Sequence, residues 1–299
     1  MVDASERGKL ALTGAEAKDF LQGQVTNDIL ALEPGHGCYA AFLTHKGKML
    51  GDLRVLDLGD ELFLDCERVA LQPLFTLIHR YRLGRDVELH KRTLERGLVS
   101  LIGPRSRAVA GAGALGPAEH DNAAAELGGA TVRLIATPVG VDVLCDAADS
   151  ARVKVALEGA GARPAPDAVA ETMRIEQGRP RYGVDLDDSV IPQEAALNER
   201  AVSFTKGCYV GQETVARLHY RGKPNRHLRG LRLSRPAATG TPLTLAGKAV
   251  GQVGSSTVSP VHGPIALALL RREAQPGDIV TVGDGDLTAS VVELPFRTA

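Results

Sequence analysis

The chain has 299 residues, of which 44% are hydrophobic and 24% are charged, and its formal net charge is −1. This balance is typical of a globular protein with two or three packed domains, and it excludes a disordered or fibrous chain. The first ten residues contain no apolar signal segment, and the apolar run at residues 265–270 is too short to span a bilayer. We therefore expect a cytoplasmic protein that has no membrane partner.

Residues 10–24 predict a short strand followed by a helix, because Thr13 and Glu16 have the spacing of a capping box. Residues 38–66 alternate apolar and polar side chains around turns at 45–48 and 59–60, which predicts antiparallel hairpins. Asp52 lies in the middle of one of these strands. Residues 67–83 have helical spacing, and we expect Pro73 to mark a boundary within them.

Residues 87–94 and 97–103 predict strands, and residues 108–130, rich in Ala and Gly, predict a small helix and loops. A hairpin is expected at 131–146, a helix at 148–161, and a linker at 161–167. After residue 226 the sequence changes to short apolar segments separated by Gly, Pro and Asp. These six segments predict an antiparallel barrel with strands at 227–234, 241–247, 248–256, 264–270, 278–283 and 287–294. The fold class is therefore α+β.

A further helix is predicted from Asp167 to Gln177, with Gly178 as its stop. Glu176 falls in its last turn, where the helix macrodipole disfavours a negative charge by about 0.3–1 kcal/mol. One interpretation is a solvated carboxylate paired with Arg174 or Arg179. The other is a carboxylate held there for a ligand.

The four cysteines lie far apart and include no CxxC pair, and the histidines are scattered, so we predict neither a metal site nor a disulfide framework. Residues 200–235 contain nine Lys and Arg against one acid, a local charge of +8. Such a basic block could bind RNA or line a pocket for an anionic small molecule. The chain has no Trp, six Phe and five Tyr, and this scarcity of stacking rings favours the small molecule.

Cys208 lies within the basic block, in the stretch FTKGCYVGQETVARLHYRG at residues 204–222. Nearby cations such as Lys206, Arg217 and Arg221 could lower the pKa of its thiol, but a free cysteine is more often a small buried side chain. Both interpretations stay open on local grounds.

The residues around Cys208 are typical of the wall of a cavity. Gly207 and Gly211 indicate a close backbone approach or a positive φ. Gln212 and Glu213 add an amide and a carboxylate that can recognise a heterocycle.

The segment KGCYVGQE resembles the signature of the YgfZ family, which are folate-binding proteins with the fold of the glycine-cleavage T-protein, an aminomethyltransferase. Other segments resemble the family in the family's order, namely FLQGQVTND at 20–28, GKMLGDLRV at 47–55, RIEQGRPRYGVDL at 174–186, IPQEAALN at 191–198 and GPIALALLRREA at 263–274. The resemblance therefore covers nearly the whole chain.

The resemblance implies a three-domain cloverleaf around a central opening. Residues 1–48 and 164–224 would form a folate-binding α+β domain, residues 49–163 a second α+β domain with antiparallel sheets, and residues 225–299 the barrel. Tetrahydrofolate, or a one-carbon derivative of it, would bind in the opening.

The resemblance also implies roles for single residues. Glu176 would contact the pterin ring, and Asp52 matches the catalytic aspartate that works beside the folate nitrogens; a strand aspartate facing solvent is the alternative. Cys208, Lys206 and Asp52 are then the candidate catalytic residues. The candidate folate-binding residues are Glu176, Asp52, Tyr209, Gln212, Glu213 and Arg221.

This branch of the family is linked to the maturation or repair of iron-sulfur enzymes, including tRNA-modifying ones, and depends on the motif cysteine. The expected partners are folate and iron-sulfur enzymes or cluster-assembly proteins, without direct nucleic-acid binding. A cluster held by this chain alone is not expected, because such clusters take four ligands. The alternatives are a folate-dependent aminomethyltransferase and an RNA-binding module.

Overall fold

The computed structural model describes residues 1–297 and divides the chain into two compact units. The first unit contains Met1–Leu43, Leu50–Asp167 and Arg200–Val210. The second unit contains Thr44–Met49, Ala168–Glu199 and the chain from Gly211 onward. The three-domain division at residues 48, 163 and 224 stays a prediction.

The first unit contains two five-stranded antiparallel sheets. The strands of one sheet have the order β3-β4-β5-β2-β6 and comprise β2 (Gly8–Thr13), β3 (Gly37–Leu43), β4 (Met49–Asp57), β5 (Leu62–Cys66) and β6 (Glu88–Lys91). The helices associated with this stretch of chain are α1 (Ala17–Gln22) and α2 (Arg68–Tyr81). Every residue of β4 is buried except the second, which makes β4 a central strand rather than one half-exposed to water.

The other sheet has the order β1-β7-β10-β9-β8. Its strands are β1 (Val2–Asp3), β7 (Arg96–Ile102), β8 (Asn122–Leu127), β9 (Ala130–Thr137) and β10 (Gly140–Asp146). The helices α3 (Ser106–Val109) and α4 (Ser150–Gly159) complete this part, and a 3-10 turn at Ala147–Asp149 precedes α4. Buried valines and leucines from the sheet and from α4 form one core, including Val99, Val132, Val143 and Leu157.

The second unit is built on a closed six-stranded barrel with the order β11-β14-β13-β12-β15-β16. Its strands are β11 (Arg226–Leu233), β12 (Pro242–Leu245), β13 (Lys248–Ser259), β14 (Gly263–Arg271), β15 (Ile279–Val282) and β16 (Thr288–Val292). The remaining helices are α5 (Asp167–Glu176), α6 (Asn198–Ala201) and α7 (Gln212–Arg221). Leu231, Leu243, Val253 and Val280 are fully buried in the barrel core.

The predicted α+β class, the antiparallel sheets and the closed barrel are confirmed. All six barrel strands lie where the sequence predicts them, and α5 begins at Asp167. Gly178 has a φ of +66°, as a helix stop requires. Among residues 1–297, no helix is long and apolar enough to cross a membrane.

The two predicted helices α1 and α2 form, but one detail of each prediction is wrong. The capping box does not form, because the Thr13 hydroxyl lies 2.8 Å from Nε2 of His90 and a Glu16 carboxylate oxygen accepts from the amide of Asp86. Helix α2 continues through Pro73. The proline leaves only the first-turn carbonyl of Val69 without its helical donor, and Val69 is 60% exposed, so water can solvate that carbonyl.

The short elements β1 and α6 were not predicted, and neither were two longer ones. Strand β8 lies in the segment for which only a helix and loops were expected, and it pairs with β9 from Asn122 to Leu127. Helix α7 follows Gly211, where the sequence suggested only the wall of a cavity.

Candidate functional site

Asp52 lies in the middle of β4 and its residue surface is only 2% exposed, so the solvent-facing alternative is wrong. The Tyr39 hydroxyl, from the neighbouring strand β3, donates a 2.7 Å hydrogen bond to Oδ2 of Asp52. Burial raises the pKa of Asp52 to about 6, because it disfavours the charged form, while the hydrogen bond from Tyr39 acts in the opposite direction. The pKa of Asp52 therefore lies closer to neutrality than that of an ordinary aspartate.

Tyr39 is held between two other side chains of the first unit. The Arg200 guanidinium lies 4.7 Å from its ring centroid, and the His120 ring stacks on it at 6.3 Å. Arg200 in turn forms a 2.7 Å ion pair with Glu119. Burial raises the pKa of Tyr39 well above its ordinary value, so its hydroxyl remains a donor to Asp52.

His120 is buried and has a φ of +74°, which is unusual for a residue other than glycine. Burial lowers its pKa to about 4, and the charges of Arg54 and Arg200 act in the same direction. Within the described chain, its Nδ1 has no hydrogen-bond partner. His120 is therefore a neutral ring with one unused polar atom, beside the tyrosine that holds Asp52. Neither His120 nor Tyr39 was identified from the sequence.

Lys206 is buried, and its ammonium group donates to three backbone carbonyls at the end of α1 and in the turn that follows it. Its Nζ lies 2.5 Å from the carbonyl oxygen of Gln22 and 2.8 Å from those of Val25 and Asn27. Burial lowers the pKa of Lys206 to about 8. The ring centroid of the buried Tyr209 lies 5.1 Å from the same Nζ. All three ammonium hydrogens are thus used to fix a turn.

Cys208 is exposed, whereas Cys66 and Cys145 are buried and Cys38 is partly buried. Burial raises the pKa of both Cys38 and Cys66 to about 12. Cys208 is therefore the most exposed of the four cysteines. In the part of the first unit that the structure describes, neither Lys206 nor Cys208 forms a hydrogen bond with Asp52.

The glycines that flank Cys208 differ in their conformational demands. Gly211 has a φ of +85° and directly precedes α7, which confirms the expected backbone constraint. Gly207 has no such φ, and a Cβ there would meet nothing within 4 Å, so the constraint predicted for Gly207 is wrong.

Glu176 ends α5 in the second unit, and the Ser259 hydroxyl donates a 2.6 Å hydrogen bond to its Oε1. The predicted pairing with Arg174 does not occur. The Arg174 guanidinium instead contacts Glu171 at 2.5 Å and Asp185 at 3.0 Å. The carboxylate that opposes the helix dipole is thus held by a hydroxyl of the barrel strand β13. A pairing of Glu176 with Arg179 stays a prediction.

The other predicted folate-binding residues of the second unit lie on α7. Gln212 is its first residue and is partly buried, while Glu213 and Arg221 are exposed. The assignment of these residues, and of Tyr209 in the first unit, to folate binding stays a prediction.

The fold pairs part of the basic block with acidic residues. Four of its arginines form ion pairs, namely Arg200 with Glu119, Arg226 with Glu194, Arg229 with Glu293 and Arg235 with Asp286. Lys206 is buried, and Arg232 donates to the carbonyl oxygen of Arg297 at 2.8 Å. Arg217, Arg221 and Lys223 of the same block are exposed. The absence of direct nucleic-acid binding therefore stays a prediction.

Comparison with known proteins covers both parts of the chain. Residues 1–206 match the model of the GCVT N-terminal domain, and residues 226–297 match that of the glycine cleavage T-protein C-terminal barrel domain. A chloroplastic protein of Arabidopsis thaliana that is named as a transferase is 29% identical, over 99% of this chain and 71% of its own length. An aminomethyltransferase of Rubrobacter xylanophilus is also 29% identical, over 99% of this chain and 82% of its own length.

A crystal structure of the glycine cleavage system aminomethyltransferase T from Bartonella henselae has the same fold. It superposes with a TM-score of 0.87 and covers 99% of this chain and 85% of its own, at 23% identity. The YgfZ branch stays a prediction, since the matched models describe the wider family. With both of its domain models matched, the chain belongs to the glycine cleavage T-protein (GcvT) family.

Proposed function

We propose that this protein binds tetrahydrofolate and that Asp52 is the group that exchanges a proton with it. Aminomethyltransferases of the GcvT family use this cofactor, which supplies nitrogen atoms that carry a one-carbon unit. The observation that carries the proposal is the buried Asp52 carboxyl, whose pKa is raised to about 6 and whose Oδ2 is held by Tyr39. A general acid or base works best when its pKa lies near the working pH.

Each unit contains candidate residues for such a ligand. Tyr39 occupies Oδ2 of Asp52, so Oδ1 is the oxygen available to a folate nitrogen. Glu176 keeps the role that the family resemblance implies, acceptance of the N–H donors of the pterin, because a carboxylate offers two acceptor oxygens. Tyr209, Gln212, Glu213 and Arg221 remain candidate contacts for the rest of the folate.

We further propose that the protein is an accessory factor for the maturation or repair of iron-sulfur enzymes, including tRNA-modifying ones, and that Cys208 is its functional thiol. Support comes from the KGCYVGQE motif and from the exposure of Cys208 compared with the buried Cys66 and Cys145. An exposed thiol can reach a client protein or a cluster-assembly protein, which a buried thiol cannot. A cytoplasmic location belongs to this proposal.

A folate-dependent aminomethyltransferase is the second candidate. Asp52 favours it, because the family resemblance implies that this residue corresponds to the catalytic aspartate of the T-protein. Relatives along the full chain are also named as transferases. Turnover of an aminomethyl donor with tetrahydrofolate separates the two candidates. If the purified protein turns the donor over and Cys208→Ser leaves the rate unchanged, the transferase is right and the accessory role is wrong.

Folate binding is tested by urea denaturation with and without tetrahydrofolate under anaerobic conditions. A ligand that binds only the folded state, at 100 times its Kd, stabilises that state by about 2.7 kcal/mol. We expect this stabilisation in the wild type and in the control Asp60→Asn, which alters an exposed aspartate of the same unit. We expect it to be reduced in Asp52→Asn. No stabilisation of the wild type would refute the proposal.

The role of Cys208 is tested by complementation of a strain that lacks its own family protein. We expect Cys208→Ala to abolish the rescue of iron-sulfur enzyme activity while the protein stays folded. The matched control Cys38→Ala removes a thiol of the same unit that is less accessible. Full rescue by Cys208→Ala would exclude the thiol from the function.

A further inference from the structure

Ser259 is the last residue of β13 and is 2% exposed. Its Oγ accepts hydrogen bonds from the backbone amides of Val261 at 3.0 Å and His262 at 2.9 Å, and it lies 2.6 Å from Oε1 of Glu176. A hydroxyl has two acceptor lone pairs and one proton. Because the two amides use both lone pairs, the proton is directed to Glu176, and the atom of residue 176 that faces Ser259 must be an acceptor.

The main chain at Glu176 is also fixed. The preceding residue, Ile175, is fully buried in a cluster with Leu228, Ile265, Leu267 and Phe296. The carbonyl oxygen of Glu176 accepts a 2.9 Å hydrogen bond from the amide of Phe296. The burial of Ile175 and the hydrogen bond from Phe296 thus fix the main chain of Glu176, and only its side-chain torsions can vary. The hydrogen bond from Ser259 restrains these torsions.

We propose that Ser259 is a positioning residue that sets which atom of residue 176 is presented to a ligand. Ser259 holds Oε1, and Oε2 is the acceptor left for a ligand that carries N–H donors. This inference rests on the proposed function, in which Glu176 receives the N–H donors of a pterin. It adds that one hydroxyl of the barrel determines whether residue 176 presents a hydrogen-bond acceptor or a donor to the ligand.

A glutamine at position 176 reveals this polarity. In Glu176→Gln the amide oxygen must face Ser259, so the NH2 group is presented to the ligand and opposes its N–H donors. In the double variant Ser259→Asp with Glu176→Gln, the new carboxylate still accepts from the amides of Val261 and His262. It also requires the NH2 group of Gln to face the barrel, so the amide oxygen is presented to the ligand.

The test is calorimetric titration of tetrahydrofolate into the wild type and these variants, with the thermal unfolding midpoint measured for each. We expect Glu176→Gln to weaken binding by about 30-fold or more, because a donor then opposes a donor. We expect the double variant with Ser259→Asp to bind about tenfold more tightly than Glu176→Gln alone. The conservative control Ser259→Thr keeps the hydroxyl and should bind like the wild type.

Each outcome is decisive. If the wild type gives no heat with tetrahydrofolate, the proposed function itself is wrong. If the wild type binds but the double variant binds no better than Glu176→Gln, Ser259 does not set the polarity, and this inference fails while the proposed function stands. If Ser259 only stabilised the fold, the double variant would bind tetrahydrofolate more weakly than Glu176→Gln. A recovery of affinity in the double variant is therefore explained by positioning and not by a structural role.

Discussion

Tyr39→Phe provides a test of the environment of Asp52. The substitution removes the hydroxyl that donates to Oδ2 at 2.7 Å and leaves the ring that packs with Arg200 and His120. A hydrogen bond to a charged acceptor contributes about 1.5–3 kcal/mol, and one pH unit corresponds to about 1.4 kcal/mol. Because this hydrogen bond favours the charged carboxylate, its loss should move the titration midpoint of Asp52 up from about 6 by about one to two pH units.

The measurement is carbon-13 NMR of the aspartate carboxyl groups as a function of pH, with the Asp52 resonance assigned by its absence in Asp52→Asn. Tyr81→Phe is the matched control, because Tyr81 belongs to the same unit and is 51% exposed. It should leave the midpoint of Asp52 unchanged. An unchanged or lower midpoint in Tyr39→Phe would refute the assignment of Tyr39 as the donor that stabilises the Asp52 carboxylate.

Three further predictions concern stability and reactivity. Since the folded-state pKa of Asp52, about 6, lies above its ordinary 3.8, the charged group disfavours folding as the pH rises. Asp52→Asn should therefore raise the free energy of unfolding at pH 8 by about 3 kcal/mol, with no gain below about pH 4, as measured by urea denaturation. Lys206→Met should lower the free energy of unfolding by about 3 kcal/mol or more, because it leaves three carbonyls without their donor. The control Lys223→Met, at an exposed position, should change that free energy by less than about 0.5 kcal/mol. A chromogenic disulfide reagent should modify Cys208 in the folded protein and Cys66 only on unfolding; equal rates for the two would contradict their assigned burial.

The barrel could be predicted because each of its strands is short, alternating and bounded by Gly, Pro or Asp, so local signals agree with the tertiary structure. Strand β8 was missed because NAAAEL has little intrinsic strand propensity and forms through its pairing with β9. A signal was nevertheless present. Gly128 and Gly129 both have positive φ, as a two-residue hairpin turn requires, and the pair follows β8 directly.

The site could be predicted only in part. The family resemblance identified Asp52. The alternation of apolar and polar residues around it also allowed a strand aspartate that faces solvent, because such a pattern does not reveal that β4 is buried on both faces. The hydrogen bonds of Lys206 to the end of α1 and the turn after it could not be predicted, because its three acceptors are backbone carbonyls about 180 residues away in the chain. A hydrogen bond to a backbone carbonyl does not depend on the side chain of the acceptor residue, so the sequence pattern does not indicate it. The contact between Ser259 and Glu176 could not be predicted either, because it depends on the packing of α5 on the barrel.

The central claim is that Asp52 is the group that meets tetrahydrofolate, and the most direct test is to follow its carbon-13 resonance while the ligand is added. In the free protein the resonance should titrate near pH 6. On saturation with tetrahydrofolate, both its chemical shift at pH 7 and its titration midpoint should change, while the exposed Asp60 stays unaffected. Saturable binding that leaves the Asp52 resonance and its midpoint unchanged would contradict the account.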